Sequence, residues 1–583
     1  MSRVTSWRRL LLGLAAGLIV LVVLVFSYQA VRTVLALREA KNEAHQLSGE
    51  LRRDDVAAVK KSLRTIEARS ATARSHSDNT LWNALARVPV LGDDVDAVQV
   101  MARALNDASS KVYEPATTLL DALQADNLRN QDGTVNLTAV ASLEAPLQDV
   151  ATALQGAVDQ VDGLESDHLL GPLRDVTTNV RSQLDETLSV AKGGVSVARL
   201  VPPMMGTDGP RHYLLVVQNN AEVRSTGGLP GSFIMLDVDH GKVSLGAQHA
   251  VDDFPVLTQP VLPLTAEERA LYGDNLGENI RDTNLTPDFP RAAELINALQ
   301  KRAFGTTIDG VISVDPVVLS AVLRATGPVK VGDDTFTAHN VVPRLLNQVY
   351  KDLGTRAEQD AYFDRAARGI FGGLITRNVD PLKLMRQLGK SSTQRRFLVW
   401  SAHPEEQRLL AGTVASGELP RDTGARPHVG LYLNDGTAAK IEYYLDYSAS
   451  IRAASCTVSG GQTLQVGMVL DSSAPRRGYQ LNHFITGNGA YAPRGMMRLN
   501  LRVYAPTGGE LTSLSANGRP VRIATADHDG RQVAIVTMFI RAHQEVRLSA
   551  EFRTRDGQRG DPVLDWTPGV RTTTSRATAQ SSC

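Results

Sequence analysis

Four arginines and four aspartates are the residues of this sequence best suited to chemistry: Arg224, Arg281, Arg365 and Arg368, with Asp252, Asp253, Asp282 and Asp288. A planar guanidinium grips phosphate oxygens through two parallel hydrogen bonds. Paired carboxylates can hold a hard cation such as Mg²⁺ against the same oxygens. The set fits recognition or transfer of a pyrophosphate. Each member also has a plainer reading. Arg365 and Arg368 stand three apart, which on a helix is one face and usually a solvated one. Asp252-Asp253 is a common surface dipeptide, and Arg281-Asp282 with Asn284 suits an ion pair that fixes a loop. Gly227, Gly228 and Gly231 let backbone amides approach an anion, or simply supply the positive φ of a turn.

Other chemistries find little support. No Gly-x-Ser-x-Gly elbow, His-Glu-x-x-His helix or P-loop occurs. Cys456 and Cys583 are the only two cysteines, too few for a zinc site. They are expected to form one disulfide pinning a Thr-, Ser- and Ala-rich tail, with a free or intermolecularly paired thiol as the alternative. The 583 residues carry 62 basic and 62 acidic side chains, so no basic footprint points to nucleic acid.

The elements that must position these residues begin with Leu10 to Tyr28, LLLGLAAGLIVLVVLVFSY, an uncharged run preceded by Arg3, Arg8 and Arg9. At ~1.5 Å per residue it reaches nearly the thickness of a bilayer core. The arginines place the N-terminus inside and the remainder outside. The run is longer than the apolar stretch of a cleaved signal, so it reads as a retained anchor.

From about Leu35 to Ala198 apolar residues recur in steps of three and four, as in Leu143, Leu147, Val150, Leu154, Val158, Val161, Leu164 and again in Leu173 to Val195. This predicts a juxtamembrane helix and a small bundle, a spacer packed on itself. Val201-Pro202-Pro203 is expected to close it. Strands at Tyr213–Gln218, Ser232–Asp239 and Val311–Val314 then interleave with helices at Pro316–Arg324, Ala338–Lys351 and Gln359–Thr376, an α/β pattern. After Pro427, short alternating runs at Lys440–Tyr447, Thr463–Leu470, Arg498–Tyr504 and Ala534–Ile540 predict a β-sandwich. The expected fold class is multidomain α+β. Its parts are a cytoplasmic tail 1–9, a transmembrane anchor 10–31, a helical stalk or bundle 32–200, an α/β domain 205–412, a β-sandwich 427–570 and a tail 571–583.

Tyr213 to Ser232 reads YLLVVQNNAEVRSTGGLPGS. With Arg281-Asp282-Thr283-Asn284, Pro287-Asp288-Phe289-Pro290, Asp309-Gly310-Val311-Ile312 and Asp315-Pro316, it resembles a bacterial family known as domain of unknown function 4012. That name supplies no chemistry. The order of features is also similar to the LytR-CpsA-Psr cell-wall glycopolymer ligases, phosphotransferases anchored by one N-terminal helix. They move an undecaprenyl-pyrophosphate-linked polymer onto peptidoglycan. Arg224-Ser225-Thr226 stands where they carry Arg-Ser-Asp-Thr, and His249-Ala250-Val251-Asp252-Asp253 where they carry Ser-Ile-Pro-Arg-Asp. Gly327-Pro328-Val329 resembles their Gly-Gly-Val turn, and Arg365-Ala366-Ala367-Arg368-Gly369 their Arg-x-x-Arg-Gln helix.

The second resemblance implies an extracytoplasmic, membrane-anchored protein that binds, and in the full ligase transfers, a polyprenyl-pyrophosphate-linked glycan to a cell-wall polymer. It implies catalysis by Asp253 and Arg365, pyrophosphate contacts from Arg224, Arg281, Arg365 and Arg368, and Mg²⁺ at Asp252 and Asp253. Arg224, Arg365 and Arg368 would then converge on one pocket. The sequence departs at Thr226, where an acid is expected, at Asp252, where an arginine is, and at Gly369, where a glutamine is. The competing reading is a non-enzymatic envelope scaffold or adhesion protein on the same fold. An apolar tunnel beside clustered arginines would mark the ligase, and a solid core the scaffold.

Overall fold

The computed structural model describes the backbone of residues 2–53, 55–89, 91–124, 127–164, 168–376, 380–421, 424–572 and 574–583. Side chains are described from residue 22 onward, except those of 48, 51, 52, 374–376, 381 and 382. Two compact units emerge: residues 1–129 with 136–202, and residues 130–135 with 203–583.

The first unit is helical: α1 (Ser2–Arg52), α2 (Val56–Ser77), α3 (Thr80–Leu85), α4 (Gly92–Ala122), α5 (Leu137–Ser142), α6 (Glu144–Asp162) and α7 (Gly171–Met204). Asp55 caps α2 by accepting from Ala58 N at 3.0 Å, satisfying a donor that a helix start leaves open. Alanines form several of the seams. Ala36, Ala73 and Ala102 bury together where α1, α2 and α4 meet, and Ala104 and Ala108 of α4 meet Ala157 and Val161 of α6. The three-and-four spacing lands as read: Leu154 and Val158 pack against Leu188, Ala191 and Val195. Pro202-Pro203 do not close α7, which ends one residue beyond them; boundary shifts of this size are ordinary. Among the described residues no helix is long and apolar enough to cross a membrane. Most of the expected anchor, Leu10 to Leu21, lies outside the described side chains.

The second unit is built on a five-stranded sheet of β1 (Arg211–Arg224), β2 (Gly227–Asp239), β3 (Lys242–Ala250), β4 (Gly310–Val314) and the strand Leu398–Ser401, in the order β3-β2-β1-β4-Leu398–Ser401. β1 pairs antiparallel with β2 and parallel with β4. Alternation along β1 sends Leu214 and Val216 to one face, against Phe289, Ile296 and Leu299 of the helix Phe289–Phe304. Tyr213 and Leu215 face Val318 and Val322 of the helix Pro316–Thr326. The helix expected at Ala338–Lys351 runs without a gap from Val341 to Asp352, with a π-helical stretch at Arg344–Gln348 in its middle. Pro343, which lacks an amide proton, sits just before that stretch.

Two further sheets, of five and six strands, face each other as the sandwich. Leu464, Val466 and Met468 from one meet Leu499, Leu501 and Val503 from the other. Lys440–Tyr447 is not one strand: a 3₁₀ turn at Ile441–Tyr444 precedes the strand Leu445–Cys456. The tail adds a strand, Arg576–Thr578, beside Val563–Trp566. Its Cys583 is disulfide-bonded to Cys456, with Cα atoms 5.0 Å apart. Val223, Val349 and Tyr350 share the sandwich core, so the α/β layer and the sandwich are fused.

Candidate functional site

Arg224 ends β1, and Glu222, two residues earlier on the same face, turns in beside it. Arg224 is buried and lies 3.5 Å from Glu222, 3.7 Å from Asp282 and 3.9 Å from Asp435. Asp435 ends the sandwich strand His428–Asp435, its two oxygens accepting from Thr437 N at 2.6 Å and Ala438 N at 2.7 Å. Lys440 is ion-paired with Glu222. Buried Glu442 adjoins Asp435.

Inside this knot four carboxyls face two cations, and proton affinities adjust. Burial pushes Glu222 up, but Lys440 and Arg224 prevail and hold it below the ordinary carboxylate range. Burial raises Asp282 despite Arg224, and raises Asp435 with Glu222 adding to it. Burial, then the neighbouring Asp435, drives Glu442 well above the usual range, so the pair retains a proton.

The rest of the Arg224 motif is tied down as well. Ser225 N donates to Asn434 Oδ1 at 2.9 Å, and Ser225 Oγ to Leu285 O at 2.7 Å. Thr226 Oγ1 accepts from Gln218 Nε2 at 3.2 Å and Asn284 Nδ2 at 3.1 Å. A Cβ on Gly228 would stand 2.2 Å from the Asn219 carbonyl carbon, so only glycine lets β2 press on the bulge of β1. Asp315 caps its helix through Val318 N at 2.8 Å and accepts from Asn220 Nδ2 at 2.9 Å and Arg396 Nη1 at 2.6 Å. Arg396 Nη2 continues to Thr572 O at 2.8 Å.

The remaining candidate residues lie apart from this knot or at its rim. Asp252 is exposed and paired with Arg281 and, at 3.0 Å, with Arg356. Asp253 accepts from Ala250 N at 2.8 Å, closing a turn. Burial, then Asp252, raises the nearby Asp360. Both oxygens of Asp252 face guanidinium groups, a donor set that does not fit Mg²⁺, and no group of three metal-ligating side chains occurs among the described residues. Asp288 accepts from Leu419 N at 3.0 Å, and burial pushes it up to about 6. Arg365 is exposed on the helix Arg356–Thr376 and has no polar partner among the described residues. Arg368 pairs with Asp364 at 2.8 Å on the same exposed surface. Neither lines the cavity that Arg224 lines, and the three arginines share no partner. Gly369 and Gly373 face the hairpin valines Val331 and Val329, where an added Cβ would meet a methyl carbon at 2.2 Å and 2.9 Å.

The matching segment runs through this knot. Residues 208–350 match the family described as Protein of unknown function (DUF4012). That segment is therefore similar to the family, over about a quarter of the chain. The matched DUF4012 segment contains Glu222, Arg224, Ser225 and Asp315, while their partners Lys440, Asp435, Asn434 and Arg396 lie beyond it. No curated protein matches the chain. The likeness to LytR-CpsA-Psr ligases rests on motif order alone. Sequence reasoning missed Glu222, although its spacing from Arg224 on a strand was a usable signal. Asp435, Lys440, Glu442 and Arg396 gave none, being more than 170 residues from Arg224.

Proposed function

We propose that this protein is a membrane-anchored, extracytoplasmic scaffold of the cell envelope, in which an α/β layer and a β-sandwich are welded into one head. One observation carries this reading: Arg224, in the place of a pyrophosphate-gripping arginine, is buried among Glu222, Asp282 and Asp435. A guanidinium so compensated has little charge left for a phosphate, and freeing it would strand buried carboxylates at a cost of several kcal/mol. Ser225 and Thr226 are likewise committed to Asn434, Gln218 and Asn284.

The anchor is supported by the arginines before an uncharged run. It is also supported by Val23, Leu24, Val25 and Tyr28 at the end of that run and Val31 just past it, all of which are exposed. The disulfide suits an oxidising compartment. The test incubates the full-length protein with a polyprenyl-pyrophosphate glycan and Mg²⁺. No cleavage is expected, and Arg365→Ala should change neither binding nor melting. Cleavage that is abolished by Arg365→Ala at unchanged melting temperature would overturn the scaffold.

A further inference from the structure

The strand Met497–Tyr504 alternates: Leu499, Leu501 and Val503 fill the sandwich, and Asn500 and Arg502 turn to its other face. In a free-standing sandwich that face meets water. Here residues 271–285 cover it. Arg502 Nη2 donates to Leu271 O at 2.8 Å, and its guanidinium carbon lies 6.0 Å from the Tyr272 ring centroid. The cover does not fill the space. A cavity of about 230 Å³ remains, walled by Arg224, Tyr272, Asp282, Asp435, Asn500 and Arg502.

Its lining is polar and balanced in charge, two guanidinium groups against two carboxylates. Arg502 has no carboxylate partner among the described residues, and its Nε and Nη1, like Nε of buried Arg224, are buried without an acceptor. Unmatched buried donors are costly and scarce in folded proteins, so these mark a place for acceptor atoms. On the opposite wall the Asp282 carboxylate lies 3.7 Å from Arg224 and receives no hydrogen bond from the described residues. It asks for a donor. An anion would meet Asp282 and Asp435, and a cation would meet Arg224 and Arg502. Only a neutral group that donates and accepts at once suits both walls. The volume lies below the usual range for drug-sized ligands, which limits the occupant to about one ring. Tyr272, Leu271 and Leu285 offer that ring an apolar flank.

We propose that this cavity binds a single neutral, hydroxyl-rich ring, a pyranose- or furanose-sized sugar unit, with Asp282 and Asn500 reading its hydroxyls. The proposal stands on the cavity and goes beyond the scaffold reading, which requires no ligand.

The test uses the full-length chain in a detergent without a sugar headgroup. Glucose, galactose, mannose, arabinose and N-acetylglucosamine are offered singly, with inorganic phosphate and glycine as charged comparisons, and binding is followed by saturation-transfer NMR. At least one sugar should bind with a Kd on the order of 1 mM, as a ligand of a dozen heavy atoms allows. Asn500→Ala should weaken it about tenfold. Asn275→Trp, a change at an exposed position on the rim, should abolish it at unchanged melting temperature. The proposal is overturned if no sugar binds at 50 mM, if phosphate or glycine binds more tightly, or if folded Asn275→Trp binds like the parent.

Discussion

Asn434 and Ser225, 209 residues apart, exchange hydrogen bonds: Ser225 N donates to Asn434 Oδ1 at 2.9 Å, and Asn434 Nδ2 to Ser225 Oγ at 3.0 Å. Asn434 Nδ2 also reaches Leu285 O at 3.0 Å. One amide therefore joins the β1–β2 turn, the loop after Asp282 and the sandwich.

Asn434→Ala should leave the Ser225 amide without a partner in a buried setting, while Leu285 O keeps its bond from Ser225 Oγ. An orphaned group costs about 1–3 kcal/mol. A loss of roughly 1–3 kcal/mol in urea unfolding is expected, with the slope unchanged. A loss under half a kcal/mol would show that the joint contributes little to stability.

Glu442 gives a pH dependence whose sign is fixed. Burial, aided by Asp435, raises its proton affinity in the folded protein. The unfolded chain releases that proton near the ordinary glutamate value of about 4.3. Folding therefore binds a proton, and the contribution to stability is complete at low pH and lost as pH rises towards the elevated folded value. Glu442→Gln should flatten the decline of the urea midpoint as pH rises above the ordinary glutamate value of about 4.3 and favour the variant at the alkaline end. An unchanged slope would mean that Glu442 does not carry the proton.

Asp288 supplies a second, separable window. Its carboxyl is pushed up to about 6 by burial, against the hydrogen bond from Leu419 N. Its contribution should disappear between about pH 4 and pH 6, so that its loss is complete near pH 6 while the Glu442 decline continues above it. Asp288→Asn should remove that early part of the decline, a change of about 1–3 kcal/mol.

The tail is held by its strand Arg576–Thr578, by the Cys456–Cys583 bridge and by Arg576, which donates to Asp565 at 2.6 Å and 2.9 Å. Loop closure on this scale contributes up to about 4 kcal/mol in the chain-entropy model. Cys583→Ser should lower the unfolding midpoint, and reductant should lower the parent to match while leaving the variant unmoved. A variant that still responds to reductant would contradict an intramolecular bridge.

Topology is tested by truncation fusions at Pro427. Alkaline phosphatase joined there should be active and a fluorescent reporter dark, given the arginines before Leu10. The reverse pattern would remove the envelope from the proposed function.

Local pattern carried much of the fold. β1, β2, β4 and the helix after Asp315-Pro316 follow from apolar runs, a cap and a first-turn proline. The helix Phe289–Phe304 was not anticipated, although Phe289, Ala292, Ala293, Ile296 and Leu299 keep a helical step. Pro290 invited a motif reading and in fact occupies the first turn. The site was less legible because its bonds span the chain. Spacing shows that Glu222 and Arg224 share a strand face. It cannot show that Asp435 or Lys440 will close on them, since a turn, a sheet and a sandwich must first form in between.

Gly369 and Gly373 set a constraint of another kind, on the paths open to mutation. The glutamine that a ligase-like helix would carry at 369 cannot be introduced alone, because its Cβ would collide with Val331 at 2.2 Å. The hairpin would first have to withdraw or lose its valines, and either change opens the cluster of Leu319, Phe336 and Ile370 behind it. A packing choice at one backbone crossing thus makes position 369 mutable only together with its valine neighbour.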